Sequence, residues 1–111
     1  MPITTHVLDT SIGRPAEGVD VVLEALDPSG GARIAGRGRT DPDGRVRPLV
    51  DGSAGPGVYR LTFATRPYFE AQGLATFYPF VAIVFEVTAG QSHYHVPLVV
   101  SPFGYATYRG S

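Results

Sequence analysis

The chain has 111 residues, enough for one domain with its own hydrophobic core and for no more. It contains no cysteine, which excludes disulfides, thiolate metal sites and cysteine nucleophiles, and its formal net charge of −1 predicts no basic surface for nucleic acid or anionic lipid. The first residues lack a basic segment followed by an apolar one, and no apolar run approaches the ~20 residues of a membrane span. We therefore expect a soluble, cytoplasmic protein with a single domain over residues 1–111.

Short runs in which apolar and polar side chains alternate, separated by turns rich in glycine and proline, predict an all-β fold. The runs recur at intervals of roughly ten residues, which is typical of a sandwich or barrel. The predicted strands cover residues 3–9, 18–26, 32–40, 45–50, 57–65, 81–87, 93–100 and 103–109. One segment differs, because Pro67 stands where a first helical residue would lie and Gly73 where a C-terminal cap would lie. We predict a two-turn helix over residues 66–74.

Two of the predicted strands carry histidine on the face that points away from the core. In strand 93–100 the even-numbered positions are all apolar and should face inward, so that His93 and His95 lie outside. The same alternation in strand 3–9 places His6 outside, together with Thr4 and Leu8. Outer faces that mix histidine with aliphatic residues predict a second buried environment, and association between the sheets of different subunits is its commonest cause in a small sandwich.

The pattern alone leaves several interpretations of these residues open. His93 and His95 have a spacing that a zinc or copper site can use, with His6 as a third ligand, but no acidic residue lies near enough to strengthen that case. Histidines in such positions are more often simply interface or edge residues. Alternatively, His6 and His95 could transfer protons near neutral pH. Arg45 directly follows the turn DPDG, where an arginine is usually solvated. No nucleophile elbow, phosphate-binding loop or dinucleotide fingerprint is present.

The final residues, SPFGYATYRGS (101–111), are unusual for a chain end. Free ends usually fray and are small and polar. This one carries Phe103, Tyr105 and Tyr108, followed by an arginine, a glycine and a serine. We expect that this end is held in place.

Three segments resemble the transthyretin-related 5-hydroxyisourate hydrolases of urate breakdown. They are TTHVLDTSIGRPA (4–16), TDPDGR (40–45) and HYHVPLVVSPFGYATYRGS (93–111), and the similarity extends from end to end. The terminal YRGS is the most discriminating part. Hormone-carrying transthyretins share the fold and the VLD and SP-x-x-Y elements, but lack this tetrapeptide and the histidine and arginine that match His6 and Arg45.

The resemblance implies a transthyretin-like sandwich of two four-stranded sheets with one short helix, assembled as a homotetramer from two dimers with the active site in the channel between them. It implies hydrolysis of 5-hydroxyisourate, a planar purine-derived substrate, to a carboxylated ureidoimidazoline without metal or cofactor. His6 would be the general base, although the sequence leaves open which histidine takes the proton. The implied catalytic residues are His6, Arg45, His95 and Ser111, and the implied substrate-binding residues are His6, Arg45, Tyr108, Arg109 and Gly110. The rival hypotheses are a transthyretin-like small-ligand carrier without catalysis and a structural module that binds a protein partner.

Overall fold

The structure, a computed structural model, describes residues 2–50, 55–91 and 93–111. Strands dominate these ranges, and a single short helix interrupts them. In chain order the elements are β1 (Ile3–Asp9), β2 (Arg14–Pro15), β3 (Asp20–Leu26), β4 (Ala32–Arg39), β5 (Arg45–Val50), β6 (Gly57–Phe63), α1 (Thr65–Glu70), β7 (Val81–Val87), β8 (Tyr94–Ser101) and β9 (Gly104–Thr107). The prediction of an all-β fold with one helix is confirmed.

The strands form two sheets. The first has the order β2-β1-β8-β9, with β5 also paired to β1, and the second has the order β4-β3-β6-β7. Within the first sheet β1 and β8 run parallel, while β1 is antiparallel to β2 and β5. The family resemblance implies four strands in each sheet, and the first sheet has five. The extra strand is β2, a two-residue segment in the predicted turn TSIGRP that pairs with the end of β1 through Leu8↔Pro15 and Asp9↔Arg14.

The core lies between the inner faces of both sheets. Val7 and Leu98 of the first sheet and Leu23 and Phe63 of the second are all fully buried. Burial of one such side chain typically contributes about 1.5–3 kcal/mol. Burial alternates along β1 with period two, as predicted, so that its odd-numbered residues face the core.

One residue on the outer face of the first sheet departs from this alternation. Pro97 of β8 is buried, although its neighbours His95 and Val99 on that face are only partly so. The chain end covers it, since a Cβ built on Gly110 would lie 3.2 Å from Pro97 Cγ. The terminal segment is therefore packed on the sheet at Gly110, whereas Phe103, Tyr105 and Tyr108 are exposed in this chain.

The helix is shorter than predicted. It spans Thr65–Glu70 and buries Phe69 completely, and Pro67 lies in its first turn, where a missing N–H costs no intrahelical hydrogen bond. Gly73, with φ of 74°, caps the turn that follows: its N–H donates to Glu70 O and the next N–H donates to Phe69 O, the two hydrogen bonds of a Schellman motif. Among the described residues no helix is long and apolar enough to cross a membrane.

Other differences concern strand ends. β6 stops at Phe63 because Thr65 already begins the helix, and β3 starts at Asp20 because Gly18, with φ of 85°, still belongs to the preceding turn. β9 ends at Thr107, after which pairing resumes at one isolated bridge between His95 and Gly110. The predicted ends differ from these by one or two residues.

Candidate active site

Three strands of the first sheet bring together the histidines and the arginine that the sequence singles out. β1 lies between β5 and β8, and His6 is the cross-strand partner of Arg45. Thr4, two residues before His6, is the partner of His95. Cross-strand partners share a face of the sheet, and so do residues two apart on one strand. His6, Arg45 and His95 therefore lie on one outer face.

The turn DPDG holds His6 and Arg45. The His6 Nε2 atom lies 2.8 Å from the carbonyl oxygen of Asp43, and one carboxylate oxygen of Asp41 accepts hydrogen bonds from the N–H groups of Asp43 and Arg45. Gly44 has φ of 77°, and a Cβ there would lie 2.3 Å from Val7 O, so only glycine fits. Arg45 begins β5 as an exposed residue, which leaves its guanidinium available to a ligand.

His95 is half-buried on β8, and its Nδ1 lies 2.8 Å from the hydroxyl oxygen of Thr4. Burial is the main cause that lowers the pKa of His95, and electrostatic interaction with Arg45, His6 and His93 lowers it further; a hydrogen bond with the Thr4 backbone acts in the opposite direction. Because the ordinary value is 6.5, a lowered pKa means that the ring is neutral at neutral pH. A neutral imidazole can both donate and accept a hydrogen bond.

A cavity of about 300 Å³ opens between these groups. Its volume is at the lower end of the range typical of small-molecule sites, about 300–1,000 Å³. It is lined by Thr4, Thr5, Asp41, Asp43, Arg45, Val46 and His95. His6 lies beside it, next to Arg45 in the ladder. The lining offers one guanidinium, one neutral imidazole and several oxygen acceptors, which suits a ligand rich in carbonyl and N–H groups.

The terminal tetrapeptide divides between the two faces of the sheet. Gly110 donates its N–H to His95 O at 2.8 Å and packs against the His95 ring. Tyr108 and Ser111 are exposed. The guanidinium of Arg109 turns the other way and lies 4.5 Å above the ring of Tyr94, an inward-facing residue. Of the four terminal residues, Gly110 is thus the one that contacts the histidine site in this chain.

Three polar groups at the site were not predicted from the sequence. Asp41 and Asp43 belong to the turn, and the Asp-x-Asp-Gly pattern is a signal from which the carboxylate-to-backbone hydrogen bonds could have been anticipated. No sequence pattern of this kind points to Thr4.

The metal site considered in the sequence analysis would need His6, His93 and His95. The described parts of the chain contain no group of three or more histidine, aspartate and glutamate residues that could hold a metal ion, and His93 is exposed.

Fold and site together define a transthyretin-like β-sandwich with a polar, hydrogen-bonding cavity on the outer face of one sheet. A family model described as the HIUase/Transthyretin family matches residues 3–110. The chain belongs to this family, which confirms the resemblance recognised in the sequence.

Similar proteins include both 5-hydroxyisourate hydrolases and a transthyretin. The 5-hydroxyisourate hydrolase of Salmonella typhimurium is 44% identical over 110 residues, which cover 98% of this chain and 80% of that protein. The structure of Klebsiella pneumoniae 5-hydroxyisourate hydrolase is 33% identical with a TM-score of 0.89, covering 99% of this chain and 98% of that one. Sea bream transthyretin in complex with thyroxine is 31% identical with a TM-score of 0.93, covering 99% and 95%.

Proposed function

We propose that this chain is a hydrolase that opens the six-membered ring of 5-hydroxyisourate in urate breakdown. The observation that carries the proposal is the meeting of His6, Arg45 and His95 on one sheet face beside a small polar cavity. Relatives that carry the name 5-hydroxyisourate hydrolase and match nearly the whole chain support it. The chain itself is proposed to form a single domain, residues 1–111. A chain without cysteine has no disulfide that would require an oxidising compartment, which is compatible with the cytoplasm.

In the proposed reaction His6 is the general base and no cofactor takes part. It removes a proton from water, whose oxygen bonds to the carbonyl carbon of the scissile amide. The C–N bond then breaks, the ring nitrogen leaves with the proton that His6 returns, and the new carboxyl group ionises. General-base catalysis typically raises the reaction rate by about 10²–10⁴-fold.

Negative charge grows on the attacked carbonyl oxygen, and Arg45 and His95 are the donors proposed to stabilise it. If Thr4 donates its hydroxyl to Nδ1 of the neutral His95 ring, Nε2–H is left to donate to substrate. Loss of one such donor typically costs about 2.7–4 kcal/mol of transition-state stabilisation. The planar fork of Arg45 also suits a flat heterocycle with several carbonyl groups.

We propose further that the enzyme is a homotetramer, a dimer of dimers, and that the chain end of another copy completes the site. β7 and β9 are edge strands with exposed apolar side chains, Val84 at 58% and Tyr105 at 43%, which suits association with a second copy. Tyr108 and Ser111 would then position substrate. Arg109 remains a predicted substrate-binding residue, and this role would require its side chain to leave Tyr94.

A carrier of small ligands is the second candidate, because the backbone does not distinguish the two functions. The TM-scores are 0.93 for the transthyretin and 0.89 for the hydrolase. Side-chain chemistry favours the hydrolase, since a site for an apolar ligand has no use for Arg45 and two imidazoles. The carrier hypothesis predicts saturable ligand binding without turnover.

The test is to generate 5-hydroxyisourate with urate oxidase and to follow the loss of its ultraviolet absorbance. The purified protein should accelerate this loss above the spontaneous rate. His6→Ala should lower kcat by about 10²–10⁴ and Arg45→Ala by about 10²–10³, while both variants keep the wild-type oligomeric state. Arg37→Ala, at an exposed arginine on β4 of the other sheet, is the matched control and should retain full activity. A folded His6→Ala or Arg45→Ala variant with wild-type turnover would refute the mechanism, and a wild-type protein without acceleration would refute the function.

A further inference from the structure

We propose that Asp41 is a positioning residue that selects one tautomer of His6 and so makes Nδ1 the nitrogen that accepts the proton. This inference rests on the proposed hydrolysis, because it names the atom that acts as general base. Asp41 itself would act through the turn that it organises, without touching the reacting atoms.

The tautomer of His6 follows from its hydrogen-bond partner. The His6 Nε2 atom lies 2.8 Å from the carbonyl oxygen of Asp43, and a carbonyl oxygen can only accept a hydrogen bond. Nε2 must therefore carry the hydrogen. A neutral imidazole has a single N–H, so Nδ1 is left with a free lone pair. The nitrogen able to take a proton from water is thus Nδ1, and the carbonyl stabilises the imidazolium that results.

The Asp43 carbonyl has this direction because the turn around it is held at several points. The Asp41 carboxylate oxygen Oδ1 accepts from the N–H of Asp43 at 2.9 Å and from the N–H of Arg45 at 3.0 Å. The Gly44 N–H donates to Asp41 O at 2.8 Å, and the Asp41 N–H donates to Arg45 O at 2.9 Å. The Val7 N–H donates to Gly44 O at 2.7 Å, which fastens the turn to β1 directly after His6.

One carboxylate therefore positions two members of the site. It orients the peptide group of Asp43, whose carbonyl oxygen accepts from His6, and it fixes the backbone from which the Arg45 side chain extends. A displacement of about 1 Å in catalytic geometry can cost about 10²-fold in rate. Without the Asp41 oxygen the turn loses two of its hydrogen bonds, and the Asp43 carbonyl is free to rotate away from Nε2.

The experiment compares Asp41→Ala with Asp41→Asn, which keeps an oxygen able to accept both N–H bonds. A matched control exists in the turn between β3 and β4 of the other sheet. There Asp27 Oδ1 accepts from Ser29 N–H and the Gly30 N–H donates to Asp27 O, the same local arrangement as at Asp41. Steady-state kinetics give kcat and KM for each variant. Long-range ¹H–¹⁵N correlation spectra of protein labelled with ¹⁵N-histidine report which His6 nitrogen is protonated, at about pH 8, above the ordinary imidazole pKa of about 6.5.

We expect wild-type His6 to carry its hydrogen on Nε2. Asp41→Ala should lower kcat by about 10²-fold, by more than any change in KM, and give a mixture of His6 tautomers. Asp41→Asn should keep both the tautomer and most of the activity, as should Asp27→Ala.

Three results would overturn the inference. They are a wild-type His6 with its hydrogen on Nδ1, an Asp41→Ala variant with wild-type kcat, or an Asp41→Asn variant as impaired as Asp41→Ala. If Asp41→Ala does not fold, the wild-type tautomer and the Asn variant still decide the question. If the wild-type protein fails to hydrolyse 5-hydroxyisourate, the proposed function fails, whereas the tautomer measurement still tests the role of the turn.

Discussion

The contact between the chain end and His95 makes Gly110 the most informative position for a substitution. A Cβ built on Gly110 would lie 2.5 Å from His95 Cδ2 and 3.2 Å from both His95 Cγ and Pro97 Cγ. A separation of 2.5 Å is far shorter than a carbon–carbon van der Waals contact, so in Gly110→Ala either the imidazole or the chain end must move.

The two responses differ in cost. If the chain end moves, the protein loses the hydrogen bond from Gly110 N–H to His95 O, worth about 0.5–1.5 kcal/mol in stability. If the ring moves by about 1 Å, the reaction loses about 10²-fold in rate, which corresponds to about 2.7 kcal/mol in activation free energy. Either movement displaces a group at the site, whereas the stability of the fold is affected through one hydrogen bond, from Gly110 N–H to His95 O. We therefore expect Gly110→Ala to lower kcat by about 10²-fold and the free energy of unfolding by only about 1 kcal/mol.

The assay is ultraviolet decay of 5-hydroxyisourate for kcat, with urea unfolding for stability. Gly104→Ala is the matched control, since it lies on β9 of the same segment and its Cβ would meet only Ser101 Oγ at an ordinary 3.7 Å. It should leave both quantities within experimental error. Wild-type turnover by Gly110→Ala, or an equal loss in Gly104→Ala, would show that close packing of the chain end on His95 has no catalytic consequence.

Two further predictions concern buried polar groups and charge. Tyr68→Phe removes a donor at 2.7 Å from the Asp9 carboxylate, which is 1% exposed, and should lower the free energy of unfolding by about 1.5–3 kcal/mol in urea titrations. Burial first, and then Asp9, raise the pKa of Tyr68 to about 12 from 10. The free energy of unfolding of the wild-type protein should therefore fall as the pH rises from about 10 to about 12, and this fall should be smaller in Tyr68→Phe. An equal pH dependence of the two proteins would show that Tyr68 is not the group responsible. Arg45→Met removes a positive charge that lowers the pKa of His95, so the His95 pKa measured by NMR titration should rise, whereas Arg45→Lys should leave it low. Because His95 is harder to protonate in the folded than in the unfolded protein, the free energy of unfolding should decrease as the pH falls below about 6.5, and by less in Arg45→Met. An unchanged His95 pKa in Arg45→Met would show that the charge of Arg45 does not lower it.

Much of the fold is encoded locally, and for that reason it is predictable. In β8 the apolar residues Tyr94 to Val100 recur at every second position, and a strand can bury such a set only by turning that face to the core. The same alternation is sufficient to place His6 and His95 on the outer faces of their strands. Gly73 likewise signals the end of the helical segment because few other residues tolerate its positive φ.

The site is less predictable because its contacts join distant segments. Thr4 and His95 meet across 91 residues, and His6 and the Asp43 carbonyl across 37. Neither pairing has a sequence pattern of its own. β1 and β8 are parallel strands, joined by a long connection that does not specify their register, and β1 and β5 are antiparallel but separated by two strands of the other sheet. The direction of Arg109 illustrates the same limit. Its place in the motif suggests contact with substrate, whereas the structure stacks it on Tyr94.

From the residues alone came the class of fold, the two faces of β1 and β8 and the family, because these depend on periodicity, turn chemistry and short motifs that a linear chain displays. The tertiary structure decided which outward-facing residues become neighbours, that Asp41 orients the partner of His6, and that Gly110 packs on His95. These follow from strand order and register, which are set by the burial of the whole core. No segment of the sequence contains that information by itself.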